Sequence, residues 1–150
     1  MTDNTSMTTR TPWHLWAVGV VSLLWNAYGG YDFIMTTTQG EPYLRASGFD
    51  QPMIDYFLAM PAWMYVPWTL GVWGAVAGSI LLLMRSRFAV WAFGLSLIGA
   101  VVSLIYGQAI NPPPLSADLA VMAYMPYVIA AIAAFLAWYA WTMAKKGVLR

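Results

Sequence analysis

The stretch that decides the fold is Trp13–Thr38, which reads WHLWAVGVVSLLWNAYGGYDFIMTTT. It exceeds the roughly 20 predominantly apolar residues that a helix needs to cross a bilayer. It also carries Asn26 near its middle and Asp32 near its far end, and the rest of the chain offers no comparable pair. The pattern predicts a membrane-spanning helix that presents two polar groups.

The composition is typical of a membrane protein. Of the 150 residues, 61% are hydrophobic and only 9% are charged, whereas soluble domains have about 25% charged residues. A chain of this length could not bury so much apolar surface in water, because small proteins have a high ratio of surface to volume. We therefore expect the lipid bilayer to surround most of the chain and to be its main partner.

Four apolar runs are long enough to span a membrane: His14–Thr36, Pro61–Met84, Phe88–Ile110 and Leu119–Ala144. Only helices and closed barrels can cross lipid, and these runs lack the alternation that is typical of strands. The predicted fold is all-α, an integral membrane four-helix bundle. Its predicted parts are a flexible cytoplasmic N-terminus (1–12), a four-helix transmembrane domain (13–144) and a basic cytoplasmic tail (145–150).

The distribution of charge predicts the orientation of the bundle. All lysines and arginines except Arg45 fall on one side of this topology, and most acidic residues lie on or near the other side. Since positively charged short loops stay in the cytoplasm, both termini should be cytoplasmic. Seven tyrosines, Tyr28 among them, would cluster toward the outer interface. They would either anchor the helices among the lipid headgroups or form a platform for a ligand.

The connection between the first two predicted helices, about Gln39–Met60, contains its own structural signals. Gln39–Pro42 is typical of a turn. Asp50 is a favourable N-cap, and the following Gln51-Pro52 suits the first turn of a helix that continues to Leu58. We expect a short outer interfacial helix that caps the bundle, or alternatively a lid over an outward-facing pocket.

Small residues recur at four-residue and similar spacing on the second and third predicted helices, at Gly71, Gly74, Gly78, Gly99, Ser103 and Gly107. Such residues let helices approach closely in lipid, where packing drives association. The pattern predicts a tight bundle. It leaves open whether the chain also forms a homodimer or joins a larger membrane complex.

Asn26, Tyr28, Asp32 and Gln108 are the candidate substrate-binding residues. An amide in hydrocarbon must face the bundle interior or a cavity, because an unpaired polar group there is costly. Asn26 therefore forms either an interhelical hydrogen bond or a substrate contact. Asp32 lies near the outer interface, where Gln108 and Asn111 are its expected neighbours. It forms either a local latch or a carboxylate that binds a proton or a solute.

The sequence offers little other chemistry. It contains no cysteine and a single histidine, His14, which excludes thiolate metal sites and bis-histidine haem ligation within one chain. No catalytic Ser/His/Asp set, metal cluster or phosphate loop is visible, and a net charge of +1 gives no indication of nucleic-acid binding. We expect neither enzymatic activity nor a metal or cofactor.

Several motifs carry a resemblance to a known family: Arg10–Trp16, Leu24-Trp25-Asn26, Tyr31-Asp32, Met35-Thr36, Tyr56–Trp63, Gly71-Val72-Trp73-Gly74 through Arg85, and Gly147–Arg150. The chain resembles a bacterial family of small four-helix membrane proteins whose members are often labelled sugar transporters. The resemblance covers nearly the whole chain and is strongest through Arg87. It implies a location in the bacterial inner membrane and gives some weight to a transport function.

Two functional hypotheses follow. The first is a transporter-like protein for a small polar solute such as a sugar, with Asn26, Asp32 and the outer tyrosines in contact with it. Helices two to four supply few polar side chains for such a path. The second is a structural or accessory subunit that packs against a larger membrane complex. This hypothesis accounts for the small size, the packing glycines and the scarcity of reactive groups.

Overall fold

The computed structural model describes residues 9–150, and within this range all regular secondary structure is helical. Six α-helices follow one another: α1 (Trp13–Gln39), α2 (Glu41–Ala46), α3 (Gln51–Leu58), α4 (Tyr65–Leu83), α5 (Phe88–Ile105) and α6 (Met125–Lys145). Three shorter pieces extend them, which are a 3₁₀ turn at Ala62–Met64, a π-helical turn at Tyr106–Ile110 and a 3₁₀ segment at Ala117–Ala123. The predicted all-α class is confirmed. Residues 1–8 of the predicted flexible N-terminus lie outside the described residues.

The four long helices pack in the order α1, α4, α5, α6, each mainly against the next. Three continuous helical segments are long and apolar enough to cross a membrane: Ala62–Leu83, Phe88–Ile110 and Ala117–Lys145. Helix α1 has 27 residues and is therefore about 40 Å long. It does not reach the same apolarity, because Asn26, Asp32 and the polar residues at 36–39 interrupt its apolar sequence.

The ends of the long helices separate the charges. One end of the fold contains the beginnings of α1 and α5 and the ends of α4 and α6. We call it the basic end because it carries Arg10, Arg85, Arg87, Lys145, Lys146 and Arg150. The acidic end carries Asp32, Glu41, Asp50, Asp55 and Asp118, with Arg45 as the only basic residue among the described ones. The charge separation that the sequence suggested is thus present in the fold.

The main hydrophobic core lies at the basic end. Leu15, Leu82 and Phe93 are almost fully buried there, and so are Val148 and Leu149 from the segment predicted as a basic tail. A turn at Gly147, with φ of +72°, directs this segment back toward the bundle. Its last residue exchanges two backbone hydrogen bonds with the α4–α5 connection, from Arg150 N to Arg85 O (2.7 Å) and from Arg87 N to Arg150 O (3.0 Å). Residues 148–150 are therefore held against the α4–α5 connection and the hydrophobic core.

Two short helices cover the acidic end. Gly40, with φ of +61°, ends α1 and α2 begins at the next residue, where the sequence suggested only a turn. Helix α3 has the predicted bounds, and the predicted N-cap is confirmed because the Asp50 carboxylate accepts a hydrogen bond from Met53 N (3.3 Å). Leu44 of α2 and Ile54 of α3 are buried. Helix α2 packs against α1, and α3 packs against α2.

Glycines bring α4 and α5 into close contact. A Cβ atom added at Gly99 would lie 2.3 Å from Pro67 O and 2.5 Å from Gly71 N. At Gly74 it would lie 3.0 Å from Ala92 O, and at Gly78 it would overlap the Phe93 ring at 2.6 Å. The two backbones can approach this closely only where a side chain is missing.

Two members of the predicted small-residue set lie away from this contact. At Gly107 an added Cβ would meet only Tyr56 Oη, at 4.0 Å. Ser103 is partly exposed one turn beyond Gly99. The close packing is therefore concentrated in the stretch of α5 that ends at Gly99.

Candidate functional site

Asn26 belongs to α1, and its side chain, which faces α4, is 8% exposed. Its side-chain amide donates hydrogen bonds to Ser79 Oγ (2.9 Å) and to Ala75 O (3.2 Å). The Ser79 hydroxyl, which is fully buried, donates in turn to Ala75 O (2.9 Å). Both amide hydrogens of Asn26 are thereby paired with α4. The geometry matches the interhelical hydrogen bond that the sequence offered as one alternative.

Asp32 lies six residues further along α1 and has a different partner. Its carboxylate accepts a hydrogen bond from Tyr43 Oη of α2 (2.8 Å). Tyr31 packs edge-on against the Tyr43 ring, with 6.3 Å between ring centres. Burial and the adjacent Asp32 carboxylate raise the pKa of Tyr43 to about 12, because both disfavour a charged phenolate. The contact ties α2 to the end of α1.

Gln108 and Asn111, which were expected beside Asp32, form hydrogen bonds with other residues. Gln108 Oε1 accepts a hydrogen bond from Tyr127 Oη at 3.4 Å. The side-chain amide of Asn111 donates to Tyr106 Oη at 3.1 Å. Tyr28 is 67% exposed. The hydrogen bonds therefore do not join Asn26, Tyr28, Asp32 and Gln108 into one site.

A further polar contact joins α1 to α6 at the basic end. His14 Nδ1 and Tyr139 Oη are 2.5 Å apart, and the two rings meet edge-on with 5.7 Å between their centres. From the sequence alone, His14 is most simply an interfacial residue beside Trp13 and Trp16. Its link to Tyr139 depends on how α6 is rotated, and no signal in the sequence predicts that rotation.

A groove separates α1 from α6 above this contact. It has a volume of about 400 Å³ and is lined by α1 residues between Ala17 and Trp25 and by Ile132, Phe135 and Leu136 of α6. A second cavity of about 460 Å³ lies on the acidic end, where residues from Leu115 to Tyr124 line it. Neither cavity is lined by Asn26 or Asp32. Among the described residues, no group of three histidine or acidic side chains is arranged to hold a metal ion.

No protein-family model, curated protein or solved structure matches this chain. Its function must therefore be inferred from its own contacts. Four separate features are available for this inference: a buried Asn26–Ser79 pair, an Asp32–Tyr43 pair at the acidic end, a His14–Tyr139 pair at the basic end, and an apolar groove between α1 and α6.

Proposed function

We propose that the protein is a multi-pass membrane protein with all four long helices across the bilayer and the basic end in the cytoplasm. Three segments have the length and apolarity to span. Helix α1 can span as well, because its central polar side chain, Asn26, is already paired with α4, which removes most of the cost of placing an amide in lipid. The orientation follows from the lysines and arginines at the basic end.

Within this setting, we propose that the protein acts as a structural or accessory subunit of a membrane complex. The observation that carries this proposal is the pairing of Asn26 with Ser79 and Ala75 O. Asn26 is the amide at the middle of α1, where a solute path through the bundle would need a free polar group. Its hydrogens are engaged in packing instead, and the α1–α6 groove is lined almost entirely by hydrocarbon.

The outer surface of the bundle suits contact with lipid or with another membrane helix. Large apolar side chains are exposed on it, including Leu24 of α1 (68%), Trp91 of α5 (73%) and Ile98 of α5 (58%). The contact between α4 and α5 is rich in glycine, which brings these two helices close together and keeps the bundle narrow. A narrow bundle with apolar sides is suited to packing as a subunit.

A solute carrier for a small polar molecule such as a sugar is the second candidate. The observation that favours it is the Asp32–Tyr43 pair, because a carboxylate and a phenol at the acidic end could bind hydroxyl groups. In this case α2 and α3 would act as the lid. Neither proposal assigns a catalytic role to the chain.

Site-directed photocrosslinking combined with flux measurements separates the two candidates. A crosslinking amino acid at Leu24 or Ile98 should attach the protein in native membranes to one defined membrane partner, whereas the same group at the fully buried Phe93 should not. Proteoliposomes should show no uptake of labelled monosaccharides. Saturable uptake that is abolished in Asp32→Asn, with no crosslinked partner, would contradict the subunit proposal and support the carrier.

A further inference from the structure

The groove between α1 and α6 has a defined shape. At the basic end the His14–Tyr139 contact closes the gap between the two helices. Above that contact the helices separate, and the groove runs from Ala17 toward Trp25 on α1. It therefore lies on the side of that contact that faces the acidic end, and it is open to the surroundings of the protein.

The lining of the groove accepts only hydrocarbon. Its one hydroxyl belongs to Ser22, and this group donates to Gly19 O within the same helix (3.1 Å). The remaining lining side chains are aliphatic or aromatic. A ligand with polar groups along its length would lose its hydration there without gaining hydrogen bonds.

The volume corresponds to one fatty acyl chain. An apolar cavity of about 150 Å³ holds one benzene molecule, which has six carbon atoms. On the same scale, the groove volume of about 400 Å³ would hold about 16 carbon atoms. A side chain or a small solute would leave much of this space empty.

The groove leads toward a carboxylate. Val18, Trp25 and Asp32 are spaced seven residues apart on α1. The direction of the side chain drifts by about 20° every seven residues of a helix, so Trp25 and Asp32 differ by about 20° and Val18 and Asp32 by about 40°. Asp32 is thus about 10 Å beyond Trp25 along the axis. Tyr43 donates to its Oδ1 atom, which leaves the Oδ2 atom able to accept a hydrogen bond from a cationic group.

The surrounding charges favour a cation at that position. Arg45, the basic residue described at the acidic end, is already paired with Glu41 and also donates to Gln51 Oε1 (2.6 Å). The other ionised groups there are acidic. A negatively charged headgroup would be repelled, whereas a primary ammonium group would be attracted.

We propose that the groove binds one acyl chain of an aminophospholipid whose ammonium group donates to Asp32. The second acyl chain of the lipid lies outside the groove in the bilayer. This inference rests on the proposed membrane setting but not on the subunit function, because either a subunit or a carrier can hold a bound lipid.

Native mass spectrometry of the purified, delipidated protein tests this proposal. The protein is titrated with phosphatidylethanolamine or phosphatidylglycerol of identical acyl chains. We expect one phosphatidylethanolamine to bind per chain, about tenfold more tightly than phosphatidylglycerol, which corresponds to one charge-assisted hydrogen bond. In Asp32→Asn this headgroup preference should disappear while acyl-chain binding remains.

A matched pair of variants tests the groove itself. Both valines are exposed on α1, Val21 to 66% and Val20 to 49%, but only Val21 lines the groove. Val21→Trp should lose both lipids, and Val20→Trp should bind them as the wild type does. Circular dichroism checks that both variants fold. If Val21→Trp does not fold, the comparison between the wild type and Asp32→Asn still tests the proposal.

Three results would overturn the proposal. The first is equal binding of the two headgroups by the wild type. The second is unchanged lipid binding by a folded Val21→Trp variant. The third is a dimer of the wild type that Val21→Trp dissociates, because this result would assign the groove to a second copy of the chain. Failure of the wild type to fractionate with membranes would contradict the membrane setting instead, so the two failures are distinguishable.

Discussion

Substituting Gly99 by alanine should destabilise the protein strongly. The added Cβ would lie 2.3 Å from Pro67 O and 2.5 Å from Gly71 N, whereas ordinary contacts begin at 3.4 Å. Both obstacles are backbone atoms, so relief requires α4 and α5 to separate by about 1 Å, the shortfall between these distances. Overpacking of this kind costs about 1–3 kcal/mol. Separation would also stretch the hydrogen bond from Ser96 Oγ to Gly71 O (2.6 Å), which adds about 1 kcal/mol.

We therefore expect Gly99→Ala to lower the free energy of unfolding by about 3 kcal/mol in total. The control is Gly94→Ala on the same helix, because nothing lies within 4 Å of a Cβ added there, and its effect should stay within about 0.5 kcal/mol. Unfolding in detergent micelles, followed by circular dichroism, measures both variants. Equal stability of the two variants would refute the close packing of α4 against α5.

Two further predictions concern the polar pairs. Asn26→Leu should lower the free energy of unfolding by about 1–2 kcal/mol, which is the value of two hydrogen bonds in a membrane protein. A double-mutant cycle with Ser79→Ala should give a coupling energy of about 1 kcal/mol. A coupling energy of zero would exclude the hydrogen bond between Asn26 and Ser79. Absorbance titration should show one tyrosine with a pKa near 12 that is absent in Tyr43→Phe and lower in Asp32→Asn. Because folding raises the pKa of this phenol from 10.0, its contribution to stability should be complete below pH 10 and be lost as the pH rises toward 12.

The helical class was predictable because its signals are local. Long apolar runs without alternation can only be helices in lipid, and Asp50 with Pro52 identifies the start of α3 from adjacent residues alone. Helix α2 was missed because Glu41-Pro42 has the composition of a turn. This short helix is held by the burial of Leu44, which depends on residues elsewhere in the fold.

The partners of the candidate site residues could not be predicted for the same reason. Whether Asn26 meets Ser79 or a cavity depends on the rotation of α1 against α4, and helical periodicity gives the faces of each helix but not which faces meet. Asp32 is paired with a residue of the helix that the sequence did not predict. Likewise, the charges of residues 145–150 indicated a basic tail but not that Val148 and Leu149 would be buried in the core at the basic end.

We propose that α1 crosses the bilayer with its beginning in the cytoplasm, and this orientation can be measured directly. Since the chain contains no cysteine, single cysteines at the exposed positions Thr9 and Ser47 report the two sides of α1 without background. A membrane-impermeant maleimide applied to intact cells should label Ser47→Cys and should label Thr9→Cys only after the membrane is permeabilised. Labelling of both positions from the same side would contradict the claim.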